Sequence, residues 1–157
     1  MYREQNEKQQ ELKDFYLPFG GHLDKENRWI LLSEKVPWKE IEKEYKEKLS
    51  NTEMGAPAKP LRMALGALII KEKLQISDRE VVEQIRETPY LQYFIGMEGY
   101  EDKAPFDPSM MVHFRKRLDG ELIQKTNEIL VKEYLEDLRK KKRKMRNNLK
   151  KLKKLKK

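Results

Sequence analysis

The chain has 157 residues, 38% hydrophobic and 39% charged, with a formal net charge of +8 and no cysteine. That length sets a prior of one domain with a small core and a heavily ionised surface, and the missing cysteine excludes disulfides, thiolate metal sites and cysteine nucleophiles. No run approaches the roughly 18 apolar residues of a membrane span. The opening MYREQNEKQQELKDF is too polar for a signal peptide, so the expectation is a soluble, cytoplasmic protein.

Net charge informs only once it is divided. From Arg139 to Lys157 there are thirteen Lys or Arg residues and no Asp or Glu, whereas residues 1–138 carry a net charge of −5. Affinity for a polyanion must then come from a local cationic face, from the tail, or from both.

In chain order, residues 1–14 read as a flexible polar lead, and Phe15–Leu23 (FYLPFGGHL) as a turn-rich strap. Asp24 is expected to cap a helix that buries Trp29, Ile30, Leu32 and Val36. Pro37 ends it and opens a second helix with Trp38, Ile41, Tyr45 and Leu49 at three- and four-residue steps. Residues 50–59 read as a linker. A helix from Pro60 to about Lys73 carries Leu61, Leu65, Leu68 and Ile69, with Gly66 marking a close approach. After a turn at 74–76, Ser77 and Glu80 form a capping box for a helix burying Val81, Val82 and Ile85. Thr88-Pro89 stops it, and a short aromatic helix runs to Gly96. Asp107-Pro108 opens a helix with Met110, Met111, Phe114 and Leu118 on one side. Asp119-Gly120 interrupts, and a long helix follows, with Leu122, Thr126, Ile129, Leu130 and Leu138 as its inner face. Val131, Leu138, Met145 and Leu152 repeat every seven residues, which suggests a helix extending into the tail, although Lys142 interrupts the seam. The fold class is all-α: a small multi-helix bundle with a helix-turn-helix-like core, a long C-terminal helix and a basic tail.

The two helices on either side of residues 74–76 have the proportions of a helix-turn-helix. Arg79 and Arg86 at its second helix read either as DNA contacts or as partners of neighbouring carboxylates. Arg115, Lys116 and Arg117, with His113 on the same helix, are the stronger candidates for groove or phosphate contact, set against an ordinary solvated face. Arg139, Lys140, Lys141, Lys142 and Arg143 would bind any polyanion in a salt-dependent way. Signals for catalysis are weak: His22 and His113 lack ligand spacing, and Gly20-Gly21 lacks the context of a phosphate loop.

GAPAKPLRMALGALIIKEKLQISDREVVEQIRETPYLQYFIG (55–96) and FDPSMMVHFRKRL (106–118) resemble the N-terminal domain of bacterial DDE-type insertion-sequence transposases, the IS-five-like group. The resemblance spans about Phe15 to Leu138. It implies a helical domain that binds double-stranded DNA at terminal inverted repeats and assists multimerisation, with homo-oligomers or transposase subunits as protein partners. The implied setting is a bacterial cytoplasm, at the nucleoid. DNA contact carries over onto Arg79 and onto Arg115, Lys116 and Arg117. In the family a catalytic domain follows, with three acidic residues holding a divalent metal such as Mg. No stretch here matches it, so no catalytic residue carries over.

The expectation is a truncated transposase head spanning 15–138 with a tail at 139–157, not an enzyme on its own and without a cofactor. Its truncation reads either as a frameshifted or decayed gene, or as a short form that acts by itself. The alternative function is an interaction module that regulates full-length transposase and binds DNA non-specifically through the tail.

Overall fold

The computed structural model describes residues 12–49, 58–118 and 120–155. Among them are a 3₁₀ turn at Leu12–Asp14 and seven α-helices: α1 Arg28–Lys35, α2 Trp38–Leu49, α3 Leu61–Leu74, α4 Asp78–Glu87, α5 Pro89–Phe94, α6 Met110–Arg117 and α7 Gly120–Leu155. Among the described residues, pairing of β type is confined to isolated bridges, one of them between Tyr16 and Gly99. The all-α expectation holds.

Helix α3 is the hub, in contact with α2, α4, α5 and α6. Its sequence LRMALGALIIKEKL explains why. Small residues at Ala64, Gly66 and Ala67 are buried together with Leu61, Leu65 and Ile70, so neighbours can approach from several directions. At Gly66 an added Cβ would lie 3.0 Å from Ile95 Cγ2, which is the close approach the glycine signals. Leu68 and Ile69, expected in the core, are only partly buried, and Ile70 takes the central place. Around this hub Phe94 meets Trp29 and Trp38 at 5.4 and 5.5 Å between ring centroids, in the T-shaped geometry that aromatic quadrupoles favour.

Capping explains most of the helix boundaries. Ser77 accepts a hydrogen bond from the Glu80 amide at 3.2 Å, starting α4 where the sequence places it. The Glu80 carboxylate accepts from Gln84 at 2.9 Å. Two starts differ from expectation by more than one residue. Asn27, not Asp24, caps α1 by accepting from the Trp29 amide at 2.9 Å, while Asp24 closes the preceding turn through the Glu26 amide. Asp107 accepts from both the amide and the hydroxyl of Ser109, at 2.9 and 2.6 Å, and α6 begins only at Met110. The carboxylate there organises a turn ahead of the helix.

The strap is anchored at its two ends. Phe15 and Leu23 are buried beside Ile30 and Tyr93, and Tyr16 exchanges backbone hydrogen bonds with the 98–100 segment. Between them Phe19 is 98% exposed, on a turn followed by Gly20 and Gly21 at φ +74 and +92. These are left-handed values that glycine adopts without steric cost.

The 1–11 lead, most of the 50–59 linker and Asp119 lie outside the described residues, as do the side chains of Leu49, Leu122, Thr126, Ile129 and Leu130. Helix α7 packs next to α2 and runs unbroken to Leu155, so the segment set apart as a tail is helical through that residue.

Candidate nucleic-acid interface

Adjacent residues on a helix point about 100° apart, so three consecutive cations cannot share one stripe. The structure sends them three ways. Met111 and Phe114 anchor α6 in the core, with Phe114 edge-on to Phe106 at 5.1 Å. Opposite them, Ser109, Val112, His113 and Lys116 are exposed. Arg115 leaves sideways toward α4, where its guanidinium forks onto both Asp78 carboxylate oxygens at 3.0 and 2.8 Å. Arg117 turns the other way and is partly buried beside the Tyr45 hydroxyl of α2. Burial raises the Tyr45 phenol above its usual value, and the Arg117 charge opposes that rise.

Asp78 is the node of the turn between α3 and α4. Lys71 Nζ lies 3.0 Å from it and also donates to the Ile76 carbonyl at 3.0 Å. Gln75 reverses the chain in the left-handed region at φ +54 and donates to the Glu72 carbonyl. Three helices therefore meet at one carboxylate. The Arg115 fork, aided by Lys71, holds Asp78 down to about 2, whereas an unfolded aspartate titrates near 3.9. A depressed carboxylate stabilises the fold above its unfolded value and loses that contribution as pH falls through the folded one. Stability should fall between about pH 4 and pH 2. Asp78→Asn should cost about 1–2 kcal/mol at neutral pH and flatten that part of the acid limb, as read by urea denaturation at a series of pH values.

Helix α4, the second of the two helices either side of the 74–76 turn, carries more acid than base. Its sequence, DREVVEQIRE, presents Glu80, Glu83 and Glu87 toward solvent or partly so. Arg86 is held by Glu83, Glu87 and Asp102 at 3.1, 3.6 and 2.8 Å, the carboxylate-paired alternative posed for it from sequence. Arg79 is exposed on the first turn of α4. A duplex surface repels such a helix except near Arg79. On α7, Arg139–Lys144 and Arg146 are all exposed.

Sequence reasoning missed Arg62. This partly buried guanidinium donates to the carbonyls of Tyr93 and Phe94 at 2.8 and 3.0 Å and to the Ser33 hydroxyl at 3.0 Å. It also lies over the Trp38 and Tyr93 rings at 5.3 and 5.4 Å. Burial lowers its pKa from the usual arginine value. A lone cation in the apolar run LRMALGALII was the available signal. Gln92 was missed too: fully buried, it clamps the 101 loop through the Glu101 amide and carbonyl.

Among the described residues no three His, Asp or Glu side chains are grouped to hold a metal ion, and no helix is long and apolar enough to cross a membrane.

These features define an all-α bundle hung on α3, with exposed cations on α6 and α7. Residues 18–117, well over half of the chain, match the model of the transposase domain (DUF772) family, and the chain belongs to that family. It is also similar to an uncharacterised protein, ORF8 of the nfe locus in Rhizobium meliloti, at 42% identity over 65 residues, 41% of this chain. The match spans 31% of that relative's length. No solved structure gives a significant match.

Proposed function

We propose that this chain is the DNA-recognition head of a DDE-type insertion-sequence transposase of the IS-five-like group, serving transposition by binding the terminal inverted repeats. The observation that carries the reading is the split of α6. Met111 and Phe114 fix the helix in the core, Arg115 and Arg117 brace it against α4 and α2, and His113 and Lys116 stand exposed on its outer face. A helix braced on both flanks with one polar face outward is built to be held in a groove. In this arrangement Lys116 and His113 contact DNA, Arg79 reaches phosphate from α4, and Arg139–Arg143 add sequence-independent attraction. Arg115 and Arg117 position the helix. The carboxylate chemistry of strand transfer is assigned to none of the described residues.

The test is binding of the full chain to the duplex ends that flank its own gene, against scrambled duplex, at physiological salt. His113→Ala/Lys116→Ala is expected to reduce the preference for the ends at least about tenfold while leaving scrambled binding nearly unchanged. A double variant that keeps its preference refutes the assignment to α6.

A further inference from the structure

Helix α7 carries an apolar seam left exposed by the core, in which Lys142 alone also belongs to the cations proposed to attract DNA. Val131, Leu135, Leu138, Lys142 and Met145 follow one another at alternating steps of four and three, and Leu149 and Leu152 continue the spacing in sequence. This is the spacing by which one helix meets another along a supercoiled seam. Val131, Leu135 and Met145 are 57%, 47% and 63% exposed, so the seam is open to solvent over about four turns.

Charge says what covers it. From Gly120 to Leu138 the helix holds Glu121, Glu128, Glu133, Glu136 and Asp137 against Lys125 and Lys132, a net charge of −3. From Arg139 to Leu155 it holds eleven Lys or Arg and no acid. The sign changes at Leu138, near the middle of α7. We infer that α7 self-associates with α7 of a second copy of this chain in antiparallel orientation, crossing near Leu138. That orientation lays each acidic half along the partner's basic half and sets Lys142 within a turn of the partner's Glu136 and Asp137. A parallel pair would stack the two basic halves and bring Lys142 against Lys142 inside the seam, where like charges are costly. Most of the basic half remains unneutralised in the antiparallel pair, so it still attracts polyanions. The inference stands apart from the DNA reading, since it needs neither α6 nor a duplex.

The test uses the full chain, whose lack of cysteine makes single thiols unambiguous. Leu138→Cys, Val131→Cys and Met145→Cys are treated with a short bismaleimide, alone and mixed in pairs, and self-association is followed by sedimentation. In the antiparallel pair two Met145 positions lie about 14 rises, roughly 20 Å, apart along the axis. Leu138→Cys should therefore link to itself, whereas Val131→Cys and Met145→Cys should link mainly when mixed with each other. Leu135→Glu, at an exposed position that leaves the core intact, should weaken the dimer at least tenfold. Met145→Cys linking to itself as readily as Leu138→Cys would overturn the orientation. Monomeric sedimentation of the parent chain at tens of micromolar, or a dimer unaffected by Leu135→Glu, would overturn the seam itself.

Discussion

Replacing Arg62 with alanine should cost about 3–5 kcal/mol of folding free energy, a large share of the roughly 5–15 kcal/mol that holds an ordinary domain folded. The guanidinium satisfies two backbone carbonyls at the end of α5 and the buried Ser33 hydroxyl of α1. Its removal leaves those acceptors in the interior without their charged donor and takes away the contact with the Trp38 and Tyr93 faces. Arg62→Lys should recover less than half of the loss, because a single ammonium cannot reach the carbonyls and the hydroxyl with one planar fork. Urea denaturation followed by tryptophan fluorescence reads both variants, since Trp29 and Trp38 lie in the same core. Equal stability of Arg62→Ala and the parent chain would mean that α1, α3 and α5 are tied by apolar packing alone.

The second large effect concerns the start of the basic half of α7. Changing Arg139, Lys140, Lys141, Lys142 and Arg143 together to glutamine should lower affinity for duplex DNA of any sequence by about 10²–10³ at low salt. It should also reduce the slope of log affinity against log salt by about 2–3, because consecutive helical positions point about 100° apart and only some of the five can face one duplex. Each lost cation releases one condensed counterion fewer, so the slope counts contacts independently of sequence. The ratio between end and scrambled duplex should stay nearly constant, because specificity resides on α6 in this account. A slope that does not change would place the phosphate contacts on the bundle and remove any role for these cations.

These two sites differ in how legible they were. The tail cations stand out in any reading, since thirteen positive residues follow one another without one acid, a composition suited to polyanions or to a solvated tail. Helix positions were nearly as open, because Ser77, Pro89 and the apolar steps of α2 and α4 act locally. What sequence could not apportion was the trio 115–117. The acceptor that captures Arg115 lies 37 residues away on α4, and Tyr45, beside Arg117, is on α2. Arg62 was hidden for the same reason, its carbonyl partners being 31 and 32 residues distant. Local rules place helices; only packing decides which charged side chains the fold consumes and which it leaves facing out. The proportions of α3 and α4 drew attention to α4, yet its carboxylates and the pairing of Arg86 leave it few unpaired cations. The seam on α7 was half legible: the heptad steps were visible, and exposure of Val131, Leu135 and Met145 shows that the bundle does not absorb them.

In the proposed complex the outer face of α6 lies in a groove of the element's terminal repeats. Val112 sits on that face, 44% exposed, and is not assigned a contact. Val112→Cys, in a chain without other thiols, can carry an iron chelate that cuts DNA wherever the face rests. On a duplex containing the element's end, cuts should cluster within the terminal repeat, offset across the two strands as a groove-bound source produces. Cutting spread evenly along the duplex, or absent while the protein is bound, would mean that α6 does not lie in a groove of the repeat.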